Sequence, residues 1–249
     1  MPSANSIAAA TTFADTLNNA GVWSKLLDVN MFAPDSLIAC QTPLLVTDGL
    51  NLWTNTNFVA ADLSVNGLQG SAGVGRFLST GINPSPKYTG APPTIFIGAT
   101  IYVSGGTDGS FCEYSWIQNN YSLYSGFTGT MFFDCFGTVA GRIQAANANW
   151  LGFLSGNRTS YANSAVYKAS STVPFVQIAS TGANNTNQGT FVTPVIFVFA
   201  NNNGANAPLQ ISSRRLSFAA HHLGLSSSEA QTFFNAIQAL RTAFGGGFV

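Results

Sequence analysis

Few side chains in this sequence can do chemistry, and their spacing limits which chemistry. The 249 residues include nine acids, nine Lys or Arg, two histidines and three cysteines. Glycoside cleavage needs two carboxylates about 5–10 Å apart. The acids run singly from Asp15 to Glu229, and no two alternate along one apparent strand. The best remaining pair is Glu113 with Asp134. Direct antiparallel pairing of "FCEYSWI" with "TMFFDCF" would set Cys112 opposite Cys135 and Glu113 opposite Asp134. Two facing carboxylates repel unless one is protonated or a cation lies between them. The segment "NYSLYS" can form a strand of its own and break that register. No catalytic residue is assigned, and the chain is read as a non-enzyme.

His221 and His222 are neighbours, so on a strand they point to opposite faces and cannot chelate one ion. They are read as turn or interface residues, and no metal site is assigned. Cys40, Cys112 and Cys135 lack the Cys-x-x-Cys spacing of a structural zinc. No Gly-x-Ser-x-Gly elbow of a serine hydrolase occurs. The stretch "GLQGSAGVGRFLSTG", Gly67 to Gly81, has the glycines of a phosphate loop but is followed by Pro84 and Pro86, not by a helix. It reads as a structural turn, with Gly67, Gly70 and Gly81 as shape-setting positions and Arg76 as a surface or bridging residue. Sugar recognition asks for an aromatic ring beside amides or hydroxyls. "WIQNNYSLYSG" offers that mixture, with Asn119, Asn120, Tyr121 and Tyr124 as the candidate glycan contacts. It carries no carboxylate, so calcium is not implied, and no cofactor is expected.

The elements that would position these residues are legible in outline. Ile7, Ala10, Phe13, Leu17 and Ala20 recur at helical spacing, predicting a helix over about 5–20. Ser226 and Glu229 have the spacing of a capping box, and glycines follow Phe244, predicting a second helix over about 227–244. Phe233, Phe234, Ile237 and Leu240 form its buried face. Between them, over about 24–222, short Val-, Ile-, Phe- and Tyr-rich runs alternate with Gly, Asn, Ser and Pro. That pattern predicts an all-β sandwich or barrel, here a single domain spanning 1–249.

Only 7% of residues are charged and the net charge is zero, against about 25% charged in ordinary domains. Such a chain has no field to attract nucleic acid. It also has little barrier to contact between copies. No apolar run is long enough to cross a membrane as a helix. The N-terminus lacks the pattern of a signal peptide, so the cysteines are expected to be reduced.

Three stretches carry a resemblance. "GLQGSAGVGRFLSTGINPS" resembles a phrase that precedes the main strands in concanavalin A-like, laminin-G-like jelly rolls of bacteriophage structural proteins. "GNRTSYANSAVYKAS" is similar to an arginine turn and Tyr-Lys strand of that family. The ending, from Phe199 to Gly245, resembles its Asn/Gly loop, Arg-rich strand and amphipathic helix. The glycine spacing near Phe77 and the "AAHHLGL" segment depart from the pattern. The resemblance implies a jelly-roll β-sandwich with a helix near each end. It also implies a non-enzymatic virion protein, assembled in the bacterial host cytoplasm, as a capsid decoration or a tail-fibre or adhesion module. Its partners would be copies of itself and other virion proteins. A lectin recognising host-surface glycans is the alternative, and a glycan hydrolase a weaker one.

Overall fold

Apolar–polar alternation in the middle of the chain, with helical periodicity at both ends, produces a layered β-sandwich with a helix pair on one side. The computed structural model describes residues 3–32, 35–47, 49–83, 96–106, 112–117, 121–135, 142–182 and 195–249. Strands are numbered along the chain. The first antiparallel sheet runs, in spatial order, β14 (Val173–Thr181), β13 (Asn163–Ser170), β12 (Gly152–Ser160), β7 (Ile97–Gly106), β18 (Arg214–Leu223), β1 (Leu26–Met31) and β2 (Leu45–Val46). β5 (Gly67–Gln69) also pairs with β18, and β4 (Leu63–Ser64) with β5. The second sheet runs β11 (Ile143–Ala146), β10 (Thr130–Cys135), β9 (Tyr121–Phe127), β8 (Tyr114–Ile117), β15 (Phe197–Val198), β6 (Phe77–Ser79) and β3 (Thr54–Thr56). β16 (Asn201–Asn202) and β17 (Pro208–Leu209) form a small ribbon.

The helices are set by their caps. α1 (Ala4–Asn19) starts where the Ser3 hydroxyl accepts the Ser6 N–H. α2 (Leu37–Gln41) is a single turn capped in the same way by Ser36, and the sequence reading did not include it. α3 (Ser227–Ala243) opens with the expected capping box: Ser226 accepts from Glu229 N, and Glu229 accepts from Ser226 N.

Two cores result. Between the sheets lie Leu68, Ile101, Leu123, Phe133, Val166 and Leu216. Between the first sheet and the helices lie Phe13, Leu17, Phe153, Phe218, Phe233, Ile237 and Leu240. Along β18, Ala219 faces the inter-sheet core, while Phe218 and Ala220 face the helices. In the apolar run 195–200 only Phe197 and Val198 form a strand, β15. Phe199 turns to a positive φ of 70° and buries its ring against Phe32 and Phe58.

The glycine-rich stretch presses the chain against β18. Gly67 has φ +112°, and a Cβ there would fall 2.2 Å from the Leu216 carbonyl oxygen. A Cβ on Gly70 would meet the Ser212 carbonyl at 2.3 Å, and one on Gly81 the Leu50 side chain at 2.3 Å. Arg76 bridges to Asp62 at 2.9 Å and to the Asn57 carbonyl.

Candidate functional site

The two acids singled out for chemistry are separated by a strand. β9 pairs with β8 on one side and β10 on the other. The segment that could break a Glu113–Asp134 register therefore does so. Each acid instead binds an arginine. The fully buried Glu113 accepts from Arg214 Nη1 at 2.8 Å, from the Ser125 N–H at 2.7 Å and from the Ser212 hydroxyl. Burial pushes its carboxyl above the usual range, against the pull of Arg214 and the Ser125 N–H. Arg214 also donates to the Gly126 carbonyl and lies 4.9 Å over the Trp150 ring. The group thus ties β18 of the first sheet to β9 of the second. Asp134 receives a two-pronged contact from Arg142, at 2.7 and 2.9 Å, and a hydrogen bond from Ser122. Arg142 in turn lies 4.8 Å over Phe132.

The tyrosines proposed as glycan contacts do not share a platform. Tyr121 and Tyr124 are three apart on β9, so they face opposite ways. Tyr121 is sealed between the sheets. Its hydroxyl donates to the Gly98 carbonyl at 2.7 Å and accepts from His221 Nδ1 at 2.8 Å. Tyr124 lies on the other face, only 4% exposed. Its hydroxyl donates to Gln210 and accepts from Asn201, which also receives the Ser115 hydroxyl. Burial raises the Tyr124 hydroxyl well above its ordinary range. Asn119 and Asn120 lie outside the described residues.

The histidines lie inside a strand and not in a turn, and within the chain's own cores and not on an outer face. Both are fully buried on β18 and point to opposite sides. The reason is local: the "AAHHL" segment continues the strand that pairs with β7 and β1, so its side chains enter the two cores. His222 Nδ1 faces the Leu223 carbonyl at 2.8 Å, so that nitrogen carries the proton. Its Nε2 then accepts from Thr100 at 2.9 Å, Thr100 from Ser155, and Ser155 from Asn157. Burial lowers the His222 pKa to about 4, although the Leu223 carbonyl favours the charged form.

The three cysteines are buried thiols. Burial pushes Cys40 and Cys135 up to about 12 and Cys112 well above its usual value. Such thiols are poor nucleophiles. Among the described residues no three His, Cys, Asp or Glu side chains are grouped to hold a metal ion. No helix among them is long and apolar enough to cross a membrane.

The Glu113–Arg214 pair was missed by the sequence reading. A signal for it exists: an acid in the apolar run "FCEYSWI" and an arginine before "LSFAA" each need an opposite charge once buried.

Several concave features open to solvent; a groove of about 560 Å³ between α1 and α2 has a mainly apolar lining, whereas one beside α3 is polar. The polar one, a cavity of about 350 Å³, lies beside the start of α3, over β12, β13 and β14. Asn157, at its edge, accepts the Leu225 N–H and so fixes where the chain turns into the helix.

No protein family and no curated protein matches the chain. Among solved structures it is similar to Domain 4 of AbnA, a GH43 extracellular arabinanase from Geobacillus stearothermophilus, in complex with arabinotriose. The identity is 10% and the TM-score 0.34, over 83% of this chain and 86% of that chain.

Proposed function

We propose that the chain is a non-enzymatic structural module of a bacteriophage virion, displayed as a capsid decoration or in a tail fibre or adhesion assembly. The observation that carries the non-enzymatic part is the commitment of Glu113 and Asp134. Each is buried and neutralised by its own arginine, with β9 between them. Those acids act as fasteners of a rigid scaffold. The phage setting rests on the three resembling stretches. Low charge supports presentation in contact with copies of itself, through an interface above about 1,000 Å² whose strength depends little on salt.

Immunogold labelling of particles from a lysed host culture, with an antibody against this chain, tests the reading. Regular labelling at one position on the particle is the expected result. Chain found only in the soluble fraction overturns it. Sedimentation of the purified chain at low and high salt tests the association. A chain that stays monomeric, together with sparse contacts in the particle, removes that part.

A further inference from the structure

The helix layer ends at the first turn of α3. Beyond it, the helix side of β12, β13 and β14 is uncovered, and the cavity opens there. The register places Tyr167 beside Gln177 and Ala165 beside Ser180 on its floor. Thr159, Asn163 and Ser164, around the β12–β13 turn, form one wall, and residues 225–227 form the other.

Two observations point to a ligand. Tyr167 is 5% exposed, its ring stacked on Phe175 at 5.4 Å and 10°, and it borders the cavity. Its hydroxyl has no hydrogen-bond partner among the described residues. That hydroxyl is not sealed in the core, so it opens into the cavity and is left to water or a ligand. The second observation is the lining itself. Hydroxyls and amides dominate, and none of the described lining residues carries a formal charge. Asn163, Gln177 and Ser180 are exposed and Ser164 half-buried, and their side chains make no hydrogen bond within the described protein, so they are free to meet water or a ligand.

This chemistry selects a ligand class. An apolar molecule would leave the lining unpaired. An anion finds no cation, and the start of α3 is already occupied by the Glu229 carboxylate of the capping box. Amides offer a donor and an acceptor side by side, which matches neighbouring hydroxyls on a sugar ring. The volume is at the small end for ligand sites. We propose that this cavity binds one or two residues of an uncharged glycan, with the Tyr167 hydroxyl and the Gln177 amide as its central contacts. The proposal goes beyond the virion reading and does not depend on it. Binding at one cavity would be weak, and display in many copies would strengthen it.

The test is an NMR titration of the isotopically labelled full chain with methyl glycosides of neutral hexoses and N-acetylhexosamines. Sialic acid and an uncharged tripeptide serve as comparators. At least one neutral glycoside should perturb amides of β13, β14 and residues 225–227, equally at low and high salt. Tyr167→Phe keeps the ring packing and should weaken binding about three- to tenfold, the value of one hydrogen bond. Ser180→Trp, at an exposed strand position, should fill the cavity and abolish binding without lowering the melting temperature. The proposal is overturned if no neutral glycoside binds, if shifts map elsewhere, or if both variants bind as the parent does. Preference for sialic acid or the peptide overturns it as well. Particle labelling is read separately, so failure here and failure of the virion assignment are distinguishable.

Discussion

The helix-to-sheet interface and the sheet-to-sheet interface are held together differently. Under the helices, rings pack on rings. Phe13 meets Phe218 and Phe233, and Phe234 meets Phe153 and Phe175, with centroids 5.3–6.3 Å apart. Between the sheets, the apolar core is crossed by the Glu113–Arg214 contact and by the Tyr121–His221 contact. Burial of apolar surface is non-directional and tolerates repacking. A buried ion pair is directional, and it penalises the loss of either member because the other is left charged and dry. The first interface attaches a layer, while the second also fixes how β18 lies over β9.

The sharpest way to break this comparison is Arg214→Ala. It strands Glu113 and removes the stack on Trp150, so about 3–5 kcal/mol of stability should be lost in urea unfolding. The double variant Glu113→Leu with Arg214→Met should recover much of that loss, since neither charge then remains buried. A single-variant loss below about 1 kcal/mol would mean that the pair does not join the sheets.

Phe233→Ala should come next, costing about 3 kcal/mol or slightly more by opening a cavity beneath α3. Phe234 is partly exposed at its rim and should cost less. Both changes should leave α1 and the second sheet folded, as judged by hydrogen exchange. Loosening of the second sheet in either variant would show that the layers do not behave as separate units.

His222 gives the comparison a pH dependence. Its folded pKa is depressed from 6.5 to about 4, chiefly by burial. Below pH 6.5 the unfolded chain takes up a proton that the folded chain refuses. Its stabilising contribution is therefore complete above pH 6.5 and lost as pH falls toward 4. The loss is about 2–3 kcal/mol at most. Stability of the parent measured across this window should decline, and His222→Gln should flatten that decline. An unchanged slope in the variant would place the titration elsewhere.

The helices, the inner strands and the sandwich class were legible because they depend on local pattern. Ser226 and Glu229 announce the start of α3 within four residues. Ile, Val and Tyr among small and polar residues announce β7 and β13. Pairing across the fold was not legible. Glu113 and Arg214 are 101 residues apart, and only sheet order brings them together. The sequence allows "NYSLYS" as an intervening strand, but the placement of β9 settles only with the register of β8 and β10. The histidines are misplaced because "AAHHLGL" reads as the turn that ends the strand, whereas β18 runs on to Leu223 and carries both into cores where neighbouring hydroxyls satisfy them. The cavity at α3 was invisible for the same reason. Its lining comes from three strands and a helix start, none carrying a motif.

The smallest expected effect tests how much an exposed ion pair adds to the helix layer. Lys25, just after α1, reaches the Glu229 carboxylate at 2.7 Å, with both side chains partly exposed. Burial tends to raise the Glu229 pKa, but hydrogen bonds from Lys25 and Ser226 outweigh it and leave the pKa lowered. A depressed carboxyl stabilises the fold above its unfolded pKa, and that contribution is lost as pH falls through the folded value. A pair this exposed is screened by water and salt, so Lys25→Ala should cost no more than about 0.5 kcal/mol and nothing measurable at high salt. Ser226→Ala, which removes the cap itself, should cost about 1 kcal/mol at any salt concentration. If the two variants ranked the other way, electrostatics would be fastening α3, and the contrast between an apolar helix layer and an ion-paired sheet layer would fail.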